Sequence, residues 1–255
     1  MTTKSATIAM MDRISDGEKD DATWRGIYII GGAAALGQVL TAVSEIAITF
    51  LPGGNASSES VIDWFNLFQD NWFLGLRNLG LLNIIFTALG IPILLALYGA
   101  LRRADKAYAA LAAIIGFIGT AVFYATNRAF PMLALSREYA AASTEAQRAL
   151  LAAAGQALLA VGESHTPGTF MGFFLTGSAS IMMAFIMLRS QVFSKATAYA
   201  GFLGLGCLLV FDICASFAPV LFDTVMIVAM IGGISSMVWY ILIARRLFQL
   251  GRKSA

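Results

Sequence analysis

Long apolar segments alternate with short polar ones along most of this chain. Each apolar segment has about 20 residues or more, the length that a helix needs to cross the hydrocarbon core of a bilayer. The pattern predicts an all-α polytopic membrane protein, a bundle of six transmembrane helices. The predicted spans are residues 26–51, 79–101, 108–130, 168–188, 197–217 and 222–243.

Two further segments predict helices that do not span the membrane. The first carries apolar side chains spaced i, i+3, i+4 and i+7, at Val61, Trp64, Phe65 and Phe68. This spacing places them on one helical face. It predicts a short amphipathic helix that lies in the membrane interface on the outer face of the protein. The second begins at a capping residue, Ser143 or Thr144, and ends near residue 161. Polar residues interrupt its apolar core, so we expect it on the outer surface or partly re-entrant.

The composition supports a membrane protein and excludes other classes. Hydrophobic residues make up 58% of the 255 residues and charged residues only 13%, whereas soluble domains carry about 25% charged residues. The net charge of +2, without a basic stripe, argues against a nucleic-acid partner. We expect one membrane domain at residues 26–247, with the bilayer as its partner. Cytoplasmic tails are predicted at residues 1–25, as a mobile segment with one short helix, and at residues 248–255.

Lysine and arginine concentrate on one side of the predicted topology. They occur in the N-terminal tail, in the turns after the second and fourth spans, and at the C-terminus. The opposite loops carry few, the exceptions being Arg137 and Arg148 between the third and fourth spans. Because basic residues favour cytoplasmic loops, the pattern predicts a multi-pass protein with both termini in the cytoplasm.

Polar side chains within the apolar segments gather near the predicted outer ends of the helices. Charged groups inside a membrane are costly, at about 2.5–3.5 kcal/mol each on insertion scales, so they pair or mark functional sites. We expect Glu45 and Asp212 each to pair with Arg77 or Arg128. The candidate ligand-binding residues are Glu45, Arg77, Asn78, Tyr124, Asn127, Arg128, Glu163, His165 and Asp212.

Several functions fit this set of residues. The polar groups could form a structural ion-pair network, or an outward-facing pocket that binds a small molecule or a lipid headgroup. The leading interpretation is a binding protein without enzymatic activity. A membrane-embedded hydrolase using His165 with Glu163 or Asp212 is the alternative, and a structural or regulatory membrane partner is a third. His165 is the only histidine, and no cofactor motif occurs, so no metal site and no cofactor are expected.

Three stretches carry a resemblance to a known family. They read Leu-Tyr-Gly-Ala-Leu-Arg-Arg at residues 97–103, Ala-Gly-Gln-Ala-Leu-Leu-Ala-Val-Gly-Glu at 154–163, and Met-Leu-Arg-Ser-Gln-Val-Phe-Ser-Lys-Ala-Thr-Ala-Tyr-Ala-Gly at 187–201. With the six spans, they resemble an uncharacterised family of bacterial integral membrane proteins, known as a domain of unknown function, over most of residues 26–247. The resemblance implies a bacterial plasma-membrane protein and supplies no functional residues.

Overall fold

Helices make up nearly all of the described chain. A computed structural model describes residues 2–49, 60–161 and 167–252, and no β-strand occurs in these ranges. A short 3₁₀ helix, Pro219–Leu221, precedes the last α-helix. The α-helices are α1 Thr2–Thr49, α2 Val61–Asp70, α3 Trp72–Asn78, α4 Leu81–Leu101, α5 Lys106–Thr126, α6 Ala129–Ala141, α7 Glu145–Leu159, α8 Pro167–Arg189, α9 Lys195–Phe217 and α10 Phe222–Arg252.

Six helical segments in the described ranges are long and apolar enough to cross a membrane, as the sequence predicted. They belong to α1, α4, α5 with α6, α8, α9 and α10. Helix α1 packs against α4 and α10, and the contacts continue from α10 to α9, α8, α5 and back to α4. The six helices therefore form a closed ring, with a smaller contact between α4 and α8 across it.

Small residues let neighbouring helices of the ring approach closely. A methyl group on Gly204 of α9 would lie 2.5 Å from the backbone nitrogen of Ser236 on α10. One on Gly172 of α8 would lie 3.1 Å from Cα of Phe123 on α5. Membrane helices associate through such backbone approach because lipid provides no hydrophobic driving force between them.

The four short helices α2, α3, α6 and α7 form a separate cluster, which we call the cap. They pack on one another around their own apolar core, which includes Trp64, Phe65 and Met132. Ser136 of α6 donates a hydrogen bond to the Phe65 carbonyl of α2 at 3.0 Å. Helix α3 leads into α4 and helix α6 follows α5, so the cap lies at the end of the ring where α4 begins and α5 ends.

The structure corrects the prediction for the amphipathic helix. Helix α2 forms as expected, with a capping box at Ser60 and Asp63. Its apolar face, however, is buried against α6 and α7 instead of facing lipid. Gly155 of α7 allows this contact, because a methyl group there would lie 2.5 Å from Val61. Protein burial thus accounts for the amphipathic pattern.

Several helix boundaries also differ from the prediction. The second predicted helix divides at Gly80, and an additional helix, α6, follows the third span after a break at Asn127 and Arg128. Helix α1 begins at Thr2 and α10 continues to Arg252, inside the segments predicted as tails. The extension of α10 packs on α1, since both the Leu247 and Gly251 sites are buried there.

Candidate functional site

Arg77 joins the cap to the ring. Its Nη2 lies 2.9 Å from Glu45 Oε1 and donates to the Glu45 carbonyl at 3.0 Å and to the Thr49 hydroxyl. Its Nη1 donates to Asn78 Oδ1 at 3.0 Å. Arg77 is buried, whereas the Glu45 side chain is 42% exposed. The predicted pairing of Glu45 with an arginine is confirmed, and it connects α1 to α3.

The break between α5 and α6 holds three more of the predicted residues. Asn127 Oδ1 accepts a hydrogen bond from the Ala129 backbone nitrogen at 3.0 Å and so caps α6. Arg128 is buried at the first position before α6. Tyr124 is partly exposed, and its hydroxyl donates to the Ile84 carbonyl of α4 at 3.4 Å. These residues hold the junction between the ring and the cap.

The two helix breaks lie against each other at this junction. Gly80 has a φ of 96°, a left-handed conformation that glycine adopts readily. A methyl group on Gly80 would lie 3.5 Å from Asn127 Nδ2 and 3.8 Å from Asn83 Nδ2. The Gly80 nitrogen also donates to the Arg77 carbonyl at 2.9 Å. Arg77 and Asn127 are therefore brought into one neighbourhood.

Asp212 lies on α9. It is buried and contributes to the wall of a cavity inside the ring. Its pairing with Arg77 or Arg128 stays a prediction. Glu163 and His165 lie in residues 162–166, outside the described part of the chain.

The cavity has a volume of about 150 Å³, and all six ring helices contribute to its wall. Most of the wall is apolar, with Phe86, Leu94 and Leu209 among its members. Its polar members include Gln38, Asn83 and Thr120, along with serine and threonine hydroxyls of α4, α8 and α10. The predicted site residues missed this cavity, apart from Asp212. The sequence feature that could have indicated the cavity is Gln38, a polar residue within the first apolar span.

Three residues of this wall carry a buried polar atom that has no hydrogen-bond partner among the described residues: Gln38, Thr120 and Trp239. Gln38 Nε2 donates to the Phe86 carbonyl at 2.7 Å, but Gln38 Oε1 is buried and accepts no hydrogen bond from the described residues. The buried hydroxyl of Thr120 also has no partner among them. By contrast, the hydroxyls of Thr176, Ser180 and Ser236 donate to carbonyls of their own helices. Trp239 Nε1 lies against Gly201 of α9, 2.6 Å from the position of an added methyl group, and Gly201 does not line the cavity. Gln38 and Thr120 therefore leave unused hydrogen-bonding groups at the cavity wall.

The wall of the cavity carries few charged side chains. Its lining contains one carboxylate, that of Asp212, and no histidine, cysteine, lysine or arginine. Among the described residues, no group of three or more His, Cys, Asp or Glu side chains could hold a metal ion. The titratable members of the wall are Asp212 and Tyr240.

These features define an integral membrane protein, with six helices around an internal cavity and a helical cap at one end. The chain belongs to the family described as Domain of unknown function (DUF4386), whose model matches residues 73–244, from α3 into α10. The family resemblance of the sequence is thereby confirmed. No curated protein and no solved structure matched the chain.

Proposed function

We propose that this membrane protein binds a small, predominantly apolar molecule inside its six-helix ring. The observation that carries the proposal is the pair of buried polar atoms, Gln38 Oε1 and the Thr120 hydroxyl, on an apolar wall. A buried polar group without a hydrogen bond costs about 1–3 kcal/mol. A bound molecule with its own polar group would form hydrogen bonds with these atoms and so remove this cost.

The size of the cavity supports the same proposal. A volume of about 150 Å³ is comparable to the roughly 150 Å³ of an engineered apolar cavity that binds benzene in another protein. Binding sites for small molecules are mostly apolar, with a few polar groups that fix orientation. The wall around Gln38 and Thr120 has this character. The proposed site thus lies deeper in the ring than the outward-facing pocket that was expected among the charged residues. Asp212 belongs to both sets of residues.

The distribution of basic residues supports a particular orientation of the protein in its membrane. We propose that the protein resides in a bacterial plasma membrane with both termini in the cytoplasm. The cap would then face outward, because it lies at the ring end opposite the basic turns after α4 and α8. A molecule would enter the cavity from the outer side or from the bilayer.

Fluorescence quenching of Trp239 tests the proposed binding. Trp239 is buried and lines the cavity, and bromine quenches an indole that it touches. We expect 4-bromobenzyl alcohol to quench the protein in lipid nanodiscs with a saturable component. That component should be absent in the Trp239→Phe variant, which separates it from the quenching of the other three tryptophans.

A pair of glycine variants provides the control. Gly177 lines the cavity, and a methyl group there would make only ordinary contact, 3.6 Å from Leu209. Gly177→Leu should therefore fill the cavity and remove the saturable quenching. Gly206→Leu on α9 should retain it, because a methyl group there meets nothing within 4 Å and Gly206 does not line the cavity. Equal saturable quenching in both variants, or none in the wild type, would reject the proposal.

A further inference from the structure

The cavity extends along the ring axis. On α4 its wall runs from Asn83 to Leu97, which corresponds to about 21 Å at a rise of 1.5 Å per residue. A volume of about 150 Å³ distributed over such a length leaves a narrow space. One extended alkyl chain fits this shape better than a compact ring system or a lipid with two acyl chains.

Polar character changes along this axis. Asn83 and Asp212 lie near the cap end, and Thr120 follows within the outer half of its helix. The deeper wall is formed by apolar side chains such as Leu97 and Leu205 and by the large rings of Trp239 and Tyr240, each of which carries a single polar atom. Ser180 and Ser236 also lie deep, but their hydroxyls are bonded to their own helices. A bound amphiphile would therefore place its head toward the cap and its tail toward Leu97.

The hydrogen-bonding groups of Gln38 and Thr120 restrict which head group a bound amphiphile can carry. The Gln38 amide is oriented by its donation to Phe86, so Oε1 is presented as an acceptor. The Thr120 hydroxyl can donate as well as accept. An alcohol group can donate to the first and accept from the second, and so can use both.

Charged heads fit this wall less well. A carboxylate has no proton for Gln38 Oε1, and its charge would be buried against a mostly apolar wall that contains no lysine or arginine. An ammonium group could donate to both atoms, but burying a charge in an apolar site is costly unless a counter-ion is available. Asp212 already has an interaction partner within the protein. An uncharged head is therefore favoured.

We infer that the cavity takes a single-chain amphiphile with an uncharged hydroxyl head, held by Gln38 and Thr120. The inference rests on the proposed binding in the ring and specifies its ligand class. Lipid tails are as apolar as the leucines of the wall, so the tail gains little on leaving the bilayer. Selectivity then comes from the two hydrogen bonds and from the narrow shape.

A comparison of brominated probes tests this inference in nanodiscs. The probes are 12-bromododecan-1-ol, 1-bromododecane, 12-bromododecanoate and 12-bromododecylamine, at equal mole fractions in the membrane. A head near Thr120 places the terminal bromine of the alcohol close to the deep Trp239. Two hydrogen bonds at the membrane average of about 0.6 kcal/mol each predict about eightfold tighter binding of the alcohol than of the bromoalkane.

Two variants identify the groups responsible. In the double variant Gln38→Met with Thr120→Val, we expect the ratio of alcohol to bromoalkane affinity to fall close to one. Because this ratio is measured within each variant, a general loss of stability cancels from it. Thr126→Val is the matched control, since the Thr126 hydroxyl bonds to its own helix and lies outside the cavity lining. It should retain the eightfold ratio.

The possible outcomes separate this inference from the proposed function. Equal binding of alcohol and bromoalkane by the wild type would overturn the inference, as would tightest binding of the amine or the carboxylate. An unchanged ratio in the double variant would also overturn it. If 4-bromobenzyl alcohol binds saturably but no dodecyl probe does, the single-chain ligand is wrong while binding in the ring stands. If no probe binds saturably, the proposed function itself fails.

Discussion

At the scale of single residues, Arg77 is the clearest structural contact between cap and ring. Its guanidinium reaches two groups of Glu45 and the hydroxyl of Thr49, all near the end of α1. The planar fork of an arginine suits several acceptors at once, which a lysine ammonium does not match. The partial exposure of Glu45 reduces the strength of the ion pair, because water screens it. The buried Arg77 therefore matters more to stability than its partner.

Replacing Arg77 tests this role. We expect Arg77→Ala to destabilise the protein by about 1–3 kcal/mol, since it leaves several acceptors without their donor. This corresponds to a fall in apparent Tm on the order of 5 °C for a chain of this size. Glu45→Ala should cost less, and the double variant should cost less than the sum of the two. Thermal unfolding in detergent measures all three.

The exposed Arg137 of the cap provides the control for this series. Arg137→Ala removes the same charge from the cap surface and should change the apparent Tm by no more than about 2 °C, because surface substitutions are usually within about 0.5 kcal/mol. Strictly additive effects of Arg77→Ala and Glu45→Ala would show that the two side chains do not stabilise each other.

At the scale of elements, two interruptions separate the cap from the ring. Helix α3 ends before Gly80, and helix α5 ends before Asn127, so the helical hydrogen bonding is interrupted at both positions. At the first break Gly80 has a left-handed conformation. At the second break Asn127 has an extended conformation, with φ −73° and ψ 132°. Because the breaks touch, they set the position of the cap over the ring.

Substitutions at Gly80 test the contribution of its backbone conformation. A left-handed conformation costs a residue with a Cβ about 1–2 kcal/mol, and the nearest atom to an added methyl group is 3.5 Å away. Gly80→Ala should therefore lower the apparent Tm by about 2–8 °C through the backbone alone. Gly80→Asn should cost less, since asparagine tolerates this region.

A helical glycine gives the opposite expectation and serves as the control. Gly233 lies within α10, and an added methyl group there meets nothing within 4 Å. Gly233→Ala should be neutral or stabilising by about 0.5–1 kcal/mol, because alanine loses less backbone entropy in a helix. If Gly80→Ala behaved like Gly233→Ala, the left-handed turn at Gly80 would not be a feature of the protein in solution.

At the scale of the whole molecule, the two ends of the ring are chemically different. One end carries the cap. The other carries the basic turns, where guanidinium groups stack on aromatic rings: Arg102 lies 4.6 Å from the Trp24 ring centre and Arg189 lies 4.5 Å from that of Phe185. Such contacts anchor a basic rim at a membrane surface. The asymmetry predicts a single orientation in the bilayer.

Cysteine labelling measures this orientation in intact cells. In a background with Cys207→Ala and Cys214→Ala, the variant Ser143→Cys places a thiol at the exposed α6–α7 turn of the cap. We expect an impermeant maleimide to label it from outside. Ala104→Cys, in the exposed turn between α4 and α5, should react only after permeabilisation. Labelling of Ala104→Cys in intact cells would reverse or refute the proposed topology.

Much of the architecture followed from the sequence alone. Six spans could be located because length and apolar content are enough to identify membrane helices. The helix α7 and its cap at Thr144 followed from local capping chemistry, and a capping box with Gln147 is present. The pairing of Glu45 with an arginine, either Arg77 or Arg128, followed from the cost of isolated charges in a membrane. Each of these inferences depends on local pattern or on a strong energetic penalty.

Tertiary structure decided the faces, the breaks and the cavity. A membrane helix is apolar on all sides, so its pattern does not distinguish the exposed Leu40 from the buried Ala35 of α1. The amphipathic α2 could equally face lipid or protein, and only packing against α6 and α7 settled it. The cavity exists because six helices close into a ring, which places Gln38 and Thr120, 82 positions apart in the sequence, on the wall of one cavity. No local pattern encodes that proximity, since it depends on which helices become neighbours.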